Sequence, residues 1–167
     1  HIERVQYLNL FRTTPYAFPA FRLGDLYLLY AEALLETDNL TESKIWINKV
    51  RERAGLLPVD KAWADHSVFP DKPSGKEGLR EILHRERLIE MAFEGSRFWD
   101  IRRWMEAEQR IHNVPIEGWR PLESEYENYY IPQTVYSNPS FTTKNYFFHI
   151  SEEELTKNPN LVQNYAW

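Results

Sequence analysis

A chain of 167 residues with 43% hydrophobic content is long enough for one domain with its own core, and no run in it approaches the roughly 18 consecutive apolar residues needed to cross a bilayer. Its 20 basic and 25 acidic residues leave a net charge of −5, which argues against nucleic acid as a partner because phosphate binding needs a clustered positive field. The absence of cysteine excludes disulfides, thiolate zinc sites and a cysteine nucleophile, while 15% aromatic residues supply either core packing or stacking platforms for planar and sugar ligands.

The opening His1-Ile2-Glu3-Arg4 has neither a starting Met nor an apolar signal core, so the chain is expected to be a piece of a longer protein. From Phe21 to Leu35 the residues Leu23, Leu26, Tyr27, Tyr30, Ala31 and Leu34 recur at three- and four-residue spacing, which predicts an amphipathic helix. Thr37-Asp38-Asn39 breaks it. Thr41 is the expected cap of a second helix with Ile45, Ile47, Val50 and Ala54 inward and Gly55 at its end. Ser43, Val50 and Ala31 give this pair the look of a tetratricopeptide hairpin, which needs neighbours to bury its apolar face. Pro58 to Gly78 reads as a loop carrying Trp63, His66 and Phe69. Ser74-Gly75-Lys76-Glu77 matches a capping box. A third helix is expected from about Gly75 to Glu94, largely buried, and a fourth from about Ser96 to Gln109, with Gly95 as the break. Beyond Ile111, frequent Pro, Tyr, Asn and Ser predict irregular chain with at most short strands, for example around Tyr129–Ile131 and Tyr146–Ile150, and a last helical turn capped by Ser151. The fold class is therefore mainly α: helical hairpins followed by a long irregular C-terminal region.

Glu86, Arg87, Glu90, Glu94, Arg97, Asp100 and Arg103 lie among hydrophobic residues, so several must be buried with partners. The simple reading is a structural ion-pair network, with Arg87 reaching Glu90, Glu94 reaching Arg97, and Arg51 and Arg53 adding positive charge. A glycosidase-type carboxylate pair is the functional rival. Arginines beside every candidate argue against it, since they hold carboxylates ionised instead of raising one into a general acid. His84, His112 and His149 have no companion ligand at metal spacing, so no metal and no cofactor is expected.

Four blocks now carry a resemblance. Arg22-Leu23-Gly24-Asp25-Leu26-Tyr27-Leu28-Leu29-Tyr30-Ala31-Glu32-Ala33 and Asn48-Lys49-Val50-Arg51-Glu52-Arg53-Ala54-Gly55-Leu56 are similar to the helical pair in the C-terminal half of SusD/RagB proteins. Glu86-Arg87-Leu88-Ile89-Glu90, followed by Glu94-Gly95-Ser96-Arg97-Phe98-Trp99-Asp100-Ile101-Arg102-Arg103-Trp104, resembles the most distinctive stretch of that family in order and spacing. The ending, Ile150-Ser151-Glu152-Glu153-Glu154-Leu155 with Asn158-Pro159-Asn160-Leu161-Val162-Gln163-Asn164, resembles its closing motif, with Ser151 where Pro is common and no Gly near Ala166. The resemblance covers about Arg22 to Trp167.

It implies a TPR-like α-α superhelix, with residues 1–167 as a single C-terminal domain whose N-terminal lipidated segment and earlier repeats lie upstream. It also implies a non-enzymatic outer-membrane lipoprotein at the surface of a Gram-negative bacterium, anchored only through that N-terminal lipid. Such a protein binds glycans or other nutrients and hands them to a SusC-like TonB-dependent transporter. Loop aromatics are the candidate ligand contacts, Trp63, Trp119, Tyr129 and Tyr130, with burial over the helical core as their alternative role. The rival function is a helical-repeat module that binds another protein and has no ligand site of its own. The aperiodic, Pro- and Tyr-rich C-terminal region argues against that rival.

Overall fold

The computed structural model describes residues 21–120, 122 and 124–167. Among them it is mainly helical, with one two-stranded sheet. The chain divides into two compact units, meeting in sequence at Ala92 and Phe93.

In the first unit, α1 (Leu23–Glu36) and α2 (Leu40–Arg53) are joined by a three-residue turn. The buried stripe of α1 is Leu28, Ala31, Glu32 and Leu35, one step round from the expected one: Leu23, Leu26 and Tyr30 stay 59%, 48% and 46% exposed. The periodicity was real, but α1 carries apolar residues on two faces and only packing chooses between them. In α2 the buried residues are Ser43, Ile47, Val50 and Arg51, and Ile45 faces water. Ser43 is at the contact because its hydroxyl donates to the Ala31 carbonyl at 2.7 Å, letting the two backbones approach closely. Asn39, not Thr41, caps α2, accepting from the Glu42 N–H. Gly55 follows its end at φ +73°, the left-handed position that favours glycine.

The expected loop from Pro58 contains a further helix, α3 (Val59–His66), and a 3₁₀ turn at Lys72–Ser74. Its local pattern is too short to announce itself; tertiary contacts hold it. The Val59 N–H donates to the Asn48 side chain at 2.8 Å, Val59 is fully buried, and Trp63, one turn later, packs on the core. The next helix, α4 (Lys76–Glu90), starts after Gly75 with no side-chain cap, so the capping box at Ser74 does not form; Ser74 closes the 3₁₀ turn instead. Leu79, Ile82 and Leu83 of α4 meet Leu28, Ala31 and Leu35 of α1, Ile47 and Val50 of α2, and Val59. Each fully buried aliphatic side chain there contributes about 1.5–3 kcal/mol.

The third helix ends at Glu90, not Glu94, because Phe93 at φ +66° and Gly95 at φ +80° turn the chain before α5 (Ser96–Arg103) begins. The second unit opens there. α5 stops well before Gln109, where Met105 takes φ +57°, and the chain resumes as α6 (Ala107–Ile111). Ile101, Ala107 and Phe141 form a small core, with Ile111 and Tyr146 packed against it. The Arg102 guanidinium lies 4.2 Å from the Phe98 ring centroid and 5.1 Å from that of Phe141.

The strands are β1 (Ile116–Gly118) and β2 (Gln133–Tyr136), antiparallel with Glu117 opposite Thr134. Neither expected strand forms: Tyr129 ends the one-turn helix α7 (Tyr126–Tyr129), and Tyr146 ends a 3₁₀ turn begun at Thr143. Between Ile116 and Glu117 the register skips Val135 of β2, and such local irregularity leaves little alternation to read. Ser151 caps α8 (Glu152–Lys157) by accepting from the Glu154 N–H. The closing segment is tied back by two hydrogen bonds between Gln163 and the Ile150 backbone, both 2.9 Å. The Trp167 indole donates to the Lys144 and Phe147 carbonyls.

Candidate functional site

The charged residues fall into two groups, one in each unit. In the first unit, Glu86 on α4 pairs with Arg51 of α2. Arg51 also donates through Nε to the Leu57 carbonyl at 2.8 Å and stacks its guanidinium on Trp63, 5.6 Å from the ring centroid. Glu90 accepts from Arg22, ahead of α1, and from Arg53 at 2.7 and 2.8 Å. Burial pushes the Glu90 carboxyl up, but these two guanidinium hydrogen bonds outweigh it and hold the group below the ordinary carboxylate value. Arg87, 3% exposed, pairs with Asp25 of α1 at 2.9 Å. One face of α4 is thereby locked to both helices of the hairpin. Arg22 and Asp25 were absent from the sequence candidates. Their signal was available: two opposite charges three apart at the head of an apolar helix.

In the second unit, Asp100 is 4% exposed and accepts from Arg103 at 2.9 Å. Arg97 is half-buried; burial and the nearby Arg110 lower its guanidinium from the ordinary value. Glu94 is exposed in the turn before α5. Paired with arginines in this way, Glu86, Glu90, Asp25 and Asp100 act as acceptors for guanidinium donors.

The aromatic candidates separate. Trp63 is half-buried on α3, packed on the core. Trp119, Tyr129 and Tyr130 come together at the far end of the β1–β2 hairpin. There Tyr130 is the hub: its ring is 5.6 Å from Trp119, 5.0 Å from Tyr126 and 5.0 Å from Tyr129, all edge-to-face. The Arg120 N–H donates to the Tyr129 carbonyl at 3.3 Å, closing the loop at its neck. Hydrogen bonding to Tyr126 raises the Tyr130 phenol. Trp119 is 52%, Tyr126 76% and Tyr130 49% exposed. Rings packed edge-to-face with surface left in water are suited to stacking on the C–H faces of a sugar, while the phenols offer hydrogen bonds to its hydroxyls. Tyr126 was missed in the sequence, although Tyr126, Tyr129 and Tyr130 have the three- and four-residue spacing of one helical turn.

Among the described residues no group of three or more His, Cys, Asp or Glu side chains is arranged to hold a metal ion. No helix of those residues is long and apolar enough to cross a membrane.

The profile described as the SusD family matches residues 9–167. SusD-like protein P25 of Formosa agariphila is 33% identical over 101 residues, 60% of this chain and 18% of that protein. SusD-like protein P2 of the same organism is 30% identical over 145 residues, 86% of this chain and 24% of that protein. The crystal structure of a SusD-like protein from Bacteroides fragilis superposes with a TM-score of 0.69 at 27% identity, covering 88% of this chain and 25% of that one. The chain thus spans between 18% and 25% of the length of these relatives.

Proposed function

The chain belongs to the SusD family, and on that premise we propose that it serves a non-enzymatic protein that captures glycans at the cell surface for uptake. In this reading the whole protein is held on the outer membrane of a Gram-negative bacterium by an N-terminal lipid and passes its ligand to a SusC-like TonB-dependent transporter. What supports glycan binding by this segment is one observation: the half-exposed aromatic cluster Trp119, Tyr126, Tyr129 and Tyr130. It has the chemistry of a sugar platform, apolar ring faces beside hydroxyl groups. Binding needs no chemistry on the ligand, and the arginine-paired carboxylates of α4 are assigned to scaffolding.

The test is affinity electrophoresis or calorimetry of the protein against a panel of oligosaccharides, with Trp119→Ala and Tyr126→Ala beside the wild type. Loss of each stacked ring is expected to weaken binding about tenfold, the order of an exposed aromatic contact. A reducing-sugar assay on the same panel should show no release. Oligosaccharide binding that is indifferent to both substitutions refutes the assignment of the cluster.

The exposed stripe of Leu23, Leu26 and Tyr30 on α1 favours a second reading, a helical-repeat surface for another protein. Under it, no oligosaccharide binds, and Leu26→Lys changes association with a protein partner.

A further inference from the structure

A groove opens in the first unit between α3, α4 and the chain linking them, apart from the aromatic cluster. Its α3 wall carries Trp63 and His66; its α4 wall carries Glu81 and Arg85, one turn apart; Phe69 stands at its edge. The hollow measures about 390 Å³ and adjoins a wider one of about 640 Å³ that shares Phe69, Lys72 and Glu81. Both lie within the range of small-molecule sites.

Charge distinguishes its two ends. Glu81 is neutralised by Lys72 across the groove. Arg85 and His66 have no hydrogen bond or ion pair among the described residues, and no acid besides the paired Glu81 lines the narrower hollow with them, Asp71 lying in the wider one. That end therefore presents an uncompensated guanidinium beside aromatic surface, since Phe69 is 69% exposed. A planar guanidinium fork accepts a carboxylate in bidentate fashion, and an adjacent ring receives the apolar face of a pyranose.

We propose that this groove is a second carbohydrate subsite, selective for an acidic sugar of the hexuronate class, whose carboxylate is held by Arg85 and whose ring rests on Phe69 and the edge of Trp63. The inference rests on the glycan-binding reading above and adds to it a location and a charge.

The experiment is a nuclear magnetic resonance titration of the full chain with methyl glucuronide and with methyl glucoside, for the wild type, Arg85→Gln and Trp119→Ala. Arg85 is exposed, so its replacement leaves the fold intact, which circular dichroism verifies. The uronide is expected to shift the Phe69, Arg85 and His66 signals and to bind about tenfold more tightly than the glucoside, with the preference lost in Arg85→Gln and kept in Trp119→Ala. Added salt should weaken the uronide alone. Equal affinities for the two glycosides, or a uronide affinity unchanged in Arg85→Gln, overturn the proposal. Uronide shifts confined to residues 119–130 overturn it while leaving the glycan reading standing. Absence of binding by either glycoside, and by the oligosaccharides tested on the aromatic cluster, removes both.

Discussion

Arg51 is the residue whose removal tests the scaffold most directly. Its side chain is 9% exposed and that of its partner Glu86 is 11% exposed, so Arg51→Ala leaves a carboxylate out of reach of water with its cation gone. It also strips the Leu57 carbonyl of a donor and Trp63 of its stacked guanidinium. Breaking one side of a buried pair costs about 3–5 kcal/mol, and in a chain of this size each kcal/mol lowers Tm by about 2–4 °C, so a fall of about 6–20 °C is expected. Two comparisons locate the cause. Arg53 also pairs with a carboxylate of α4, Glu90, but its own side chain is 68% exposed, so Arg53→Ala should cost no more than about 1 kcal/mol. The double change Arg51→Met with Glu86→Leu removes both charges together and should recover most of the loss, because a buried pair gains little over apolar side chains of similar size. Urea unfolding followed by circular dichroism measures all three. A single-variant loss below about 1 kcal/mol, or a double variant as unstable as Arg51→Ala, would refute the view that the desolvated charge dominates.

Acid should destabilise the protein with a defined sign. Glu90 and Glu36 both have carboxyls held below the ordinary value, Glu36 chiefly by its hydrogen bond from Arg80. The unfolded chain therefore takes up protons first, and stability present above about pH 4.3 is lost as pH falls toward the depressed folded values; Glu90→Gln should flatten that slope in a pH series of urea melts. Gly78→Ala should cost about 1–3 kcal/mol, because the new Cβ would sit 2.0 Å from the Lys72 carbonyl oxygen and must drive the 3₁₀ turn from α4; an unchanged melt would contradict this packing. Arg97→Ala should cost about 1–2 kcal/mol, less than a fully buried arginine, since the side chain is half-buried; thermal melts decide.

What the sequence determined by itself was the helical hairpin, the mainly helical class, the glycine after α2 and the family. Each is written in local pattern: apolar residues at three- and four-residue spacing, a capping Ser151 ahead of three acids, and a contiguous motif from Glu86 to Trp104. The faces and boundaries were decided only in three dimensions. Leu23 and Leu28 are alike as residues, yet one is in water and the other fully buried, because α2 and α4 pack on one side of α1. Residues 59–66 are helical because Val59 fits the core and Asn48 receives its N–H, a contact across eleven residues that no local propensity contains. The candidate sites divide in the same way. Trp119, Tyr129 and Tyr130 could be picked as candidates from the sequence, but the hub at Tyr130 exists because β1 pairs with β2 and brings Trp119 beside a ring eleven residues further along the chain. The partners of Glu86, Glu90 and Arg87 likewise come from other helices: sequence supplies the charges, and packing, which must desolvate them, chooses the pairs.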